Sequence, residues 1–556
     1  MLSRTTRNTY ASLLDAACLN PSDTPVVTFV ATDADPVYWT RRDFAERVHR
    51  AAGQLAQFGI QPRDLVVIAH TQHLESMVLF WAALYLGAIP SMFPTLTEKL
   101  DPDIYAHNLS ELVRLSEVKA VFAASDSADL LRGLLTCPVY SDSDLLTAPS
   151  VEVQSAQSQP TDVAFLQHSS GTTGLQKGVA LSHQAVLNQL ASYSDAIHLN
   201  ERDVIVSWLP LYHDMGLIAG FLLPLVQGIP LVLMSPFDWV RHPALLLKAF
   251  AEHSGTLCWL PNFAYNHLAN RVRERDSEDL DLSNIRAIIN CSEPVRDDSH
   301  QRFLSRFEAN GIRPEMLAVS YAMAENTFAV TQTVPGQPPM VERVDLAALQ
   351  QQKRAIPVEA GMPMVSCGPV IAGAQVRIVD DEKEPVPDRH VGHIQVKSDS
   401  MLNGYYKRPD LQPFTEDGWY ETGDRGYLAD GEVYVIGRTK DLIINAGKNV
   451  YPQDLEAVIN EIEGVHAGRA VVFGVPDERE GTELIAVVAE VDSDDAAEHK
   501  RIKREVRLHV GRATDVTISY VTLVEHGWLI KTSSGKIARA ANREKWLSQQ
   551  TVRSEA

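Results

Sequence analysis

The sequence predicts an α/β protein: a large N-terminal domain of doubly wound sheets, a small β-rich subdomain, and a separate compact α+β unit at the C-terminus. Three observations predict it. From about residue 38 amphipathic helices alternate with short apolar strands, the pattern of parallel, doubly wound sheets. Near residue 366 the texture changes to short strands separated by turn signals. After "GRTKD" (437–441) a further set of strands and helices begins.

Taken in order, "RRDFAERVHRAAGQLAQFG" (41–59) carries Phe44, Val48, Ala52 and Leu55 at helical spacing and stops at Gly59. "DLVVIAH" (64–70) is a buried strand, followed by a helix ending at Gly87. "KAVFAAS" (119–125), "DVAFLQH" (162–168) and "IRAIINC" (285–291) repeat the strand pattern, and "VEVQSAQSQPTD" (151–162) is a polar surface loop. "AQVRIVD", "GHIQVKS" and "GEVYVIG" form the β-rich subdomain. Beyond it lie strands at 469–475 and 483–491, a charged helix near 496–510, and a last helix after Gly535. No internal repeat is evident.

A chain of 556 residues exceeds what one hydrophobic core supports. Its formal net charge of −21 argues against nucleic-acid binding, which needs a basic face to displace counterions. The five cysteines (Cys18, Cys137, Cys258, Cys291, Cys367) form no C-x-x-C pair and lack histidines at metal-ligand spacing. We expect reduced thiols, no structural zinc and a cytoplasmic protein. The N-terminus has no apolar h-region, so no secretory signal is expected. The apolar stretches 77–94 and 216–234 are broken by Pro and Gly, which predicts buried core segments and no membrane span.

The chemistry begins at "HSSGTTGLQKG" (168–178). A P-loop of the form G-x-x-x-x-G-K-[ST] is excluded, because Gln176 stands where its second glycine would be. What remains is a strand ending at His168, then Ser169, Ser170, Gly171, Thr172, Thr173 and Gly174. Glycines let backbone amides converge on an anion, and the hydroxyls add donors. Extended to 165–183, the loop resembles the phosphate-binding signature of the adenylate-forming enzymes. "SYAMAEN" (320–326), "YETGDRG" (420–426), "GRTKDLIINAGKNVYPQDLE" (437–456) and "KTSSGKIAR" (531–539) match further motifs of that family, in register along nearly the whole chain.

This resemblance implies activation of a carboxylate by ATP with release of pyrophosphate. It makes Lys536 the catalytic cation at the α-phosphate and substrate carboxylate. Glu325 would hold Mg2+ with Thr173 nearby, Tyr321 would lie against the adenine, and Asp424 with Arg438 would bind the ribose. Ser292, Glu293 and Pro294 would line the adenine pocket together with Ala322, and Lys177 would be a secondary phosphate contact. The implied domains are an adenylation domain over 1–438, with the β-rich subdomain at about 366–438, and a mobile lid over 439–556 hinged at Lys440. Three residues depart from the family pattern: Ala322 for glycine, Asn326 after the glutamate, and His168 where tyrosine is common.

"SWLPLYHDMGLIAGFLLPL" (207–225) is rich in apolar side chains, with Gly216 and Gly220 leaving room beside them, as an alkyl-accepting pocket requires. "WLPLYHDMGL" and "PNFAYN" (261–266) resemble the fatty acyl-AMP ligases. That likeness implies a fatty-acid pocket built on Trp208, Met215, Gly216 and Phe263, with His213 near the reaction centre. The run 333–368 resembles the insertion that distinguishes these ligases and disfavours free CoA, so the implied acceptor is the phosphopantetheine thiol of an acyl carrier protein. "HKRIKREVRLH" (499–509), a basic helix in an acidic chain, is a candidate docking face for it. Two alternatives stay open: an acyl-CoA synthetase of the same fold, and a degenerate member that binds acyl chains or nucleotide without turnover.

Overall fold

The computed structural model describes residues 2–17, 22–70, 73–96, 102–168, 177–445, 448–477, 482–514, 516–532 and 535–555. Contacts divide the chain into two compact units. The first comprises 1–340, 367–375 and 396–420, and the second 341–366, 376–395 and 421–556. Lys440 therefore lies inside the second unit, and the β-rich stretch is shared between the two.

Among the described residues of the first unit, two large sheets carry the fold. One runs in the order 329–332, 317–322, 287–291, 257–260, 205–207, 231–234, 25–31 and 34–40. Its six inner strands are parallel, and its two edge strands are antiparallel to their neighbours. The other runs 404–405, 178–182, 163–168, 89–92, 65–69, 120–123 and 139–141, and is parallel except at 178–182 and 404–405. The α/β expectation holds, and so do the strands it placed. "DLVVIAH" forms Leu65–Ala69, fully buried, as a parallel strand covered on both faces must be.

Local chemistry explains the connecting helices. Arg41–Gln57 starts at a capping box: Thr40 Oγ1 accepts from Asp43 N at 3.1 Å, and Asp43 Oδ2 accepts from Thr40 N at 2.8 Å. The helix buries Phe44, Val48, Ala52 and Leu55, and Gly59 follows it at φ 79°, the left-handed geometry that glycine adopts without cost. The stretch 77–94 divides into a helix (His73–Tyr85) and a strand (Ile89–Met92), and 216–234 into a buried π-helix (Met215–Leu222), a short α-helix and a strand. Among the described residues no helix is long and apolar enough to cross a membrane.

In the second unit, the insertion-like run makes a hairpin, Val341–Val344 with Met362–Val365, around the helix Leu346–Gln351. Val344, Leu349 and Met364 share an apolar cluster with Tyr427, Tyr434, Ile436 and Tyr451. Glu342 fixes the hairpin by accepting from Tyr427 Oη at 2.6 Å and from Arg389 Nη1 at 2.8 Å. Further along, a three-stranded sheet (Val465–Asp477, Thr482–Val491, Ile518–Val524) packs Pro452–Asn460 and Ala496–Thr514 through one apolar cluster. Trp546 of Arg539–Glu555 belongs to a second cluster.

Candidate active site

Doubly wound sheets bind ligands at the carboxyl ends of their strands, and the candidate residues of the first unit stand there. Four neighbouring parallel strands end at Ala322, Cys291, Leu260 and Ser207. The segments leaving them carry Ser292 and Glu293, Phe263, and Trp208. Side by side in the sheet, residues far apart in sequence share one edge. Glu293 Oε2 accepts from Phe263 N at 3.1 Å, and Ser292 Oγ lies 4.0 Å from Met215 Sδ. Ser292 reaches this position at φ 72°, a strained geometry for a residue with a Cβ and one that gathers at functional sites. Pro294 is exposed beside it.

Trp208 stacks on Trp239 with centroids 3.8 Å apart, and Phe263 meets both rings edge-on at 6.1 and 6.3 Å. Phe263 stays 41% exposed while Trp239 is fully buried. The wall is thus aromatic and mostly dry. Met215 and Gly216 open the buried π-helix that flanks it. A Cβ on Gly216 would fall 2.2 Å from Pro210 O, so only glycine permits this approach. His213 Nδ1 lies 2.6 Å from Asp214 Oδ1, which also accepts from Met215 N at 2.7 Å. Met215 N also donates toward His213 Nδ1 at 3.3 Å, so the ring is held by the two residues that follow it.

Ser169, Ser170, Gly171, Thr172, Thr173 and Gly174 lie outside the described residues; the structure describes their flanks. His168 Nε2 is 2.6 Å from Ser91 Oγ, and the ring meets Phe93 edge-on at 5.5 Å. Burial lowers the His168 pKa to about 4, so the ring is neutral. On the other side, exposed Lys177 places Nζ 4.9 Å from the centroid of the Tyr405 ring.

Glu325 sits on the one-turn helix Ala324–Asn326, just after the strand that ends at Tyr321 and Ala322. Tyr405 Oη donates to Glu325 Oε1 at 3.3 Å and lies 3.3 Å from Tyr420 Oη. Burial and the Glu325 charge push the Tyr405 pKa up to about 12 and the Tyr420 pKa higher still, so both phenols keep their protons. Thr327 turns the chain at φ 62°. Its Oγ1 donates to Ser400 O at 2.8 Å, and Gln167 Nε2 donates to its carbonyl at 3.3 Å. Tyr321 is buried in its strand, with its N donating to Thr331 Oγ1 at 3.2 Å.

In the second unit, Asp424 and Arg438 face each other across paired strands, with Oδ1 to Nε at 3.0 Å. Lys440 lies on the short turn Thr439–Asp441. Lys536 ends a tight turn: Thr532 N donates to Lys536 O at 2.7 Å, and Lys536 N to Thr532 Oγ1 at 3.2 Å. The same motif's Arg539 is half-buried and bonded to Asp441 Oδ2 at 2.6 Å and to both carboxylate oxygens of Glu456 at 2.8 and 2.9 Å. It bolts the lysine-bearing turn to the segment that follows Lys440.

Sequence reasoning missed Tyr405, Tyr420, Trp239 and Arg539. Trp239 carried a usable signal, since it follows an apolar strand as Trp208 does. Tyr405 carried none, because its strand is two residues long and meets Glu325 from 80 positions away.

The fold and this edge define an adenylate-forming enzyme. The chain belongs to the AMP-binding enzyme family, whose model matches residues 14–406. It is 31% identical over 589 residues to the long-chain-fatty-acid–AMP ligase FadD28 of Mycobacterium tuberculosis (strain ATCC 25618 / H37Rv), covering 99% of this chain and 100% of that one. The 4-hydroxyphenylalkanoate adenylyltransferase of the same strain is also 31% identical, over 99% of this chain and 93% of its own length. A solved structure from studies of fatty acyl-adenylate ligases from E. coli and L. pneumophila superposes with a TM-score of 0.90 at 28% identity. That match covers 98% of this chain and 99% of the other.

Proposed function

We propose that the chain is a fatty acyl-AMP ligase. It condenses a fatty acid with ATP to an acyl-adenylate and pyrophosphate, then passes the acyl group to the phosphopantetheine thiol of an acyl carrier protein. The observation that carries this reading is the dry aromatic wall of Trp208, Trp239 and Phe263, beside Met215 and Gly216 on the strand-end edge. Such a wall takes an apolar tail.

In this reading the carboxylate attacks the α-phosphate in line while Lys536 neutralises the charge that develops there, so the protein supplies position and electrostatics. Ser169 to Gly174 cradle the β- and γ-phosphates with Lys177. Tyr321, Ala322, Ser292, Glu293 and Pro294 receive the adenine, and Asp424 with Arg438 receives the ribose. His213 lies near the reacting carboxylate, its Asp214 contact fixing the ring. Mg2+ is ordinarily held by one or two carboxylates and the substrate phosphates, and Glu325 supplies a carboxylate just beyond the end of the Leu317–Ala322 strand. Glu325 and Thr173 would hold it, and when bound it neutralises phosphate charge. Transfer would follow rotation of residues 439–556 about Lys440.

The carrier-protein acceptor is favoured over CoA by the insertion. Its hairpin shares one apolar cluster with Tyr451, beyond the proposed hinge, a contact that opposes free rotation of the segment after Lys440. The experiment offers ATP with straight-chain acids of graded length and with 4-hydroxyphenyl-terminated acids, plus either CoA or a holo carrier protein, and identifies products by mass. Acyl-adenylate that discharges on the carrier and not on CoA is expected. Efficient acyl-CoA formation would make the chain an acyl-CoA synthetase, and no pyrophosphate from any acid would make it a binding protein without turnover.

A further inference from the structure

Tyr405 touches both ends of the nucleotide-phosphate machinery. Its backbone pairs with Val179, two residues beyond Lys177. Its ring lies under the Lys177 ammonium at 4.9 Å, and its hydroxyl donates to Glu325 Oε1 at 3.3 Å. The same segment grips Glu325 through the backbone, with Leu402 N donating to Glu325 O at 2.8 Å. Ser400 O accepts from Thr327 Oγ1 two residues after the glutamate. Tyr420 Oη lies 3.3 Å from Tyr405 Oη and also interacts with the Glu325 carboxylate.

We infer that Tyr405 is a positioning residue that holds the Glu325 carboxylate in register with the strand leaving the phosphate loop, and so sets the affinity of the site for the nucleotide-bound divalent cation. The inference rests on the reading in which Glu325 holds the metal. A carboxylate that accepts a phenol hydrogen bond on Oε1 has its rotamer biased toward one orientation. Partners of this kind typically alter metal affinity by 10- to 100-fold when removed. The ring adds a second constraint, since an ammonium over an aromatic face is attracted to its quadrupole. One side chain therefore ties the lysine at the end of the loop to the carboxylate across from it.

The test titrates Mn2+ into the full-length protein with a non-hydrolysable ATP analogue, following bound metal by electron paramagnetic resonance, beside the melting temperature and the KM for fatty acid. Tyr405→Phe keeps the ring and removes only the hydroxyl. Its Mn2+ half-saturation is expected to rise by about tenfold, with melting temperature and fatty-acid KM near the parent's. Glu325→Gln serves as the reference and is expected to shift further. Parental Mn2+ binding in Tyr405→Phe while Glu325→Gln is shifted overturns the role of Tyr405 alone. Parental binding in both removes the metal assignment of Glu325 and the inference with it. Should Tyr405→Phe fail to fold, Tyr420→Phe withdraws the second phenol. It is expected to shift in the same direction by less, and parental binding there also counts against the inference.

Discussion

Phe263 separates packing from substrate contact better than its neighbours do. Trp208 and Trp239 are so buried that truncating either costs about 3–5 kcal/mol of stability, which would confuse any kinetic result. Phe263 is 41% exposed yet closes the aromatic wall. Phe263→Ala is expected to raise the KM for long-chain acids several-fold, leave the KM for ATP unchanged, and shift the melting temperature little. Initial rates across chain lengths check this. Lys536 makes a complementary prediction. Lys536→Ala is expected to lower acyl-adenylate formation by at least the 10²–10³-fold typical of losing one electrostatic stabiliser, while equilibrium ATP binding persists. Pyrophosphate release at the parental rate would remove Lys536 from the chemistry. The sequence singles out residues that a short motif surrounds, such as Glu325, Asp424 and Lys536. Residues that act on those from elsewhere in the fold, such as Tyr405, leave no local pattern to find.

At the scale of elements, the π-helix Met215–Leu222 was the least readable feature. Its composition predicts a buried apolar segment and its eight residues are buried, but hydrophobicity alone does not reveal the wider helical winding. Because Pro210 O lies 2.2 Å from where a Cβ would be, Gly216→Ala must displace the 209–211 backbone. We expect a loss of about 1–3 kcal/mol, the usual cost of overpacking a well-filled site, with acyl adenylation falling more than ATP affinity. Chemical denaturation and KM values check it together. The basic helix is also sharpened by structure. Arg501 is engaged by Glu498 and Glu505 within its own helix and by the Glu463 carbonyl, so on the proposed reading Lys500 and Lys503 would be the charges offered to a carrier. Reversing those two charges is expected to slow carrier acylation most at low salt while adenylate formation stays at the parental rate. An unchanged salt dependence would dismiss this face as the docking surface.

On the scale of the whole molecule, three imidazoles are sealed in the first unit. His168, His183 and His300 all have pKa values lowered to about 4 by burial. Two of them accept hydrogen bonds that protonation would abolish: His183 Nδ1 from Leu13 N at 3.2 Å, and His300 Nε2 from Asn290 Nδ2 at 2.9 Å. An unfolded histidine titrates near 6.5. Between about pH 4 and 6.5 the unfolded chain therefore binds protons that the folded chain refuses, and stability rises with pH across that window. Denaturation midpoints should fall progressively from pH 7 to pH 5, and a flat profile would contradict the burial of these rings. The doubly wound architecture was legible because strand and helix periods alternate cleanly along the first 330 residues. The partition of the later chain was not, because membership of a unit depends on non-local strand pairing, which leaves no trace in composition.

That partition has a consequence for how the protein is made. The first unit takes its last strand and Glu325's two phenol partners from residues 396–420. A nascent chain that has emerged only as far as residue 395 already has both parallel sheets in outline, yet Gly178–Ser182, paired with 163–168 on one side, lacks its partner on the other. Its glutamate also has no phenol partner. Such an open edge is a template for wrong pairing, and long-range closures of this kind are slow to form. Synthesis through residue 420 is therefore the step at which this unit stops being a candidate for aggregation. A fragment truncated before that residue should express as an insoluble product even though it retains most of the family signature.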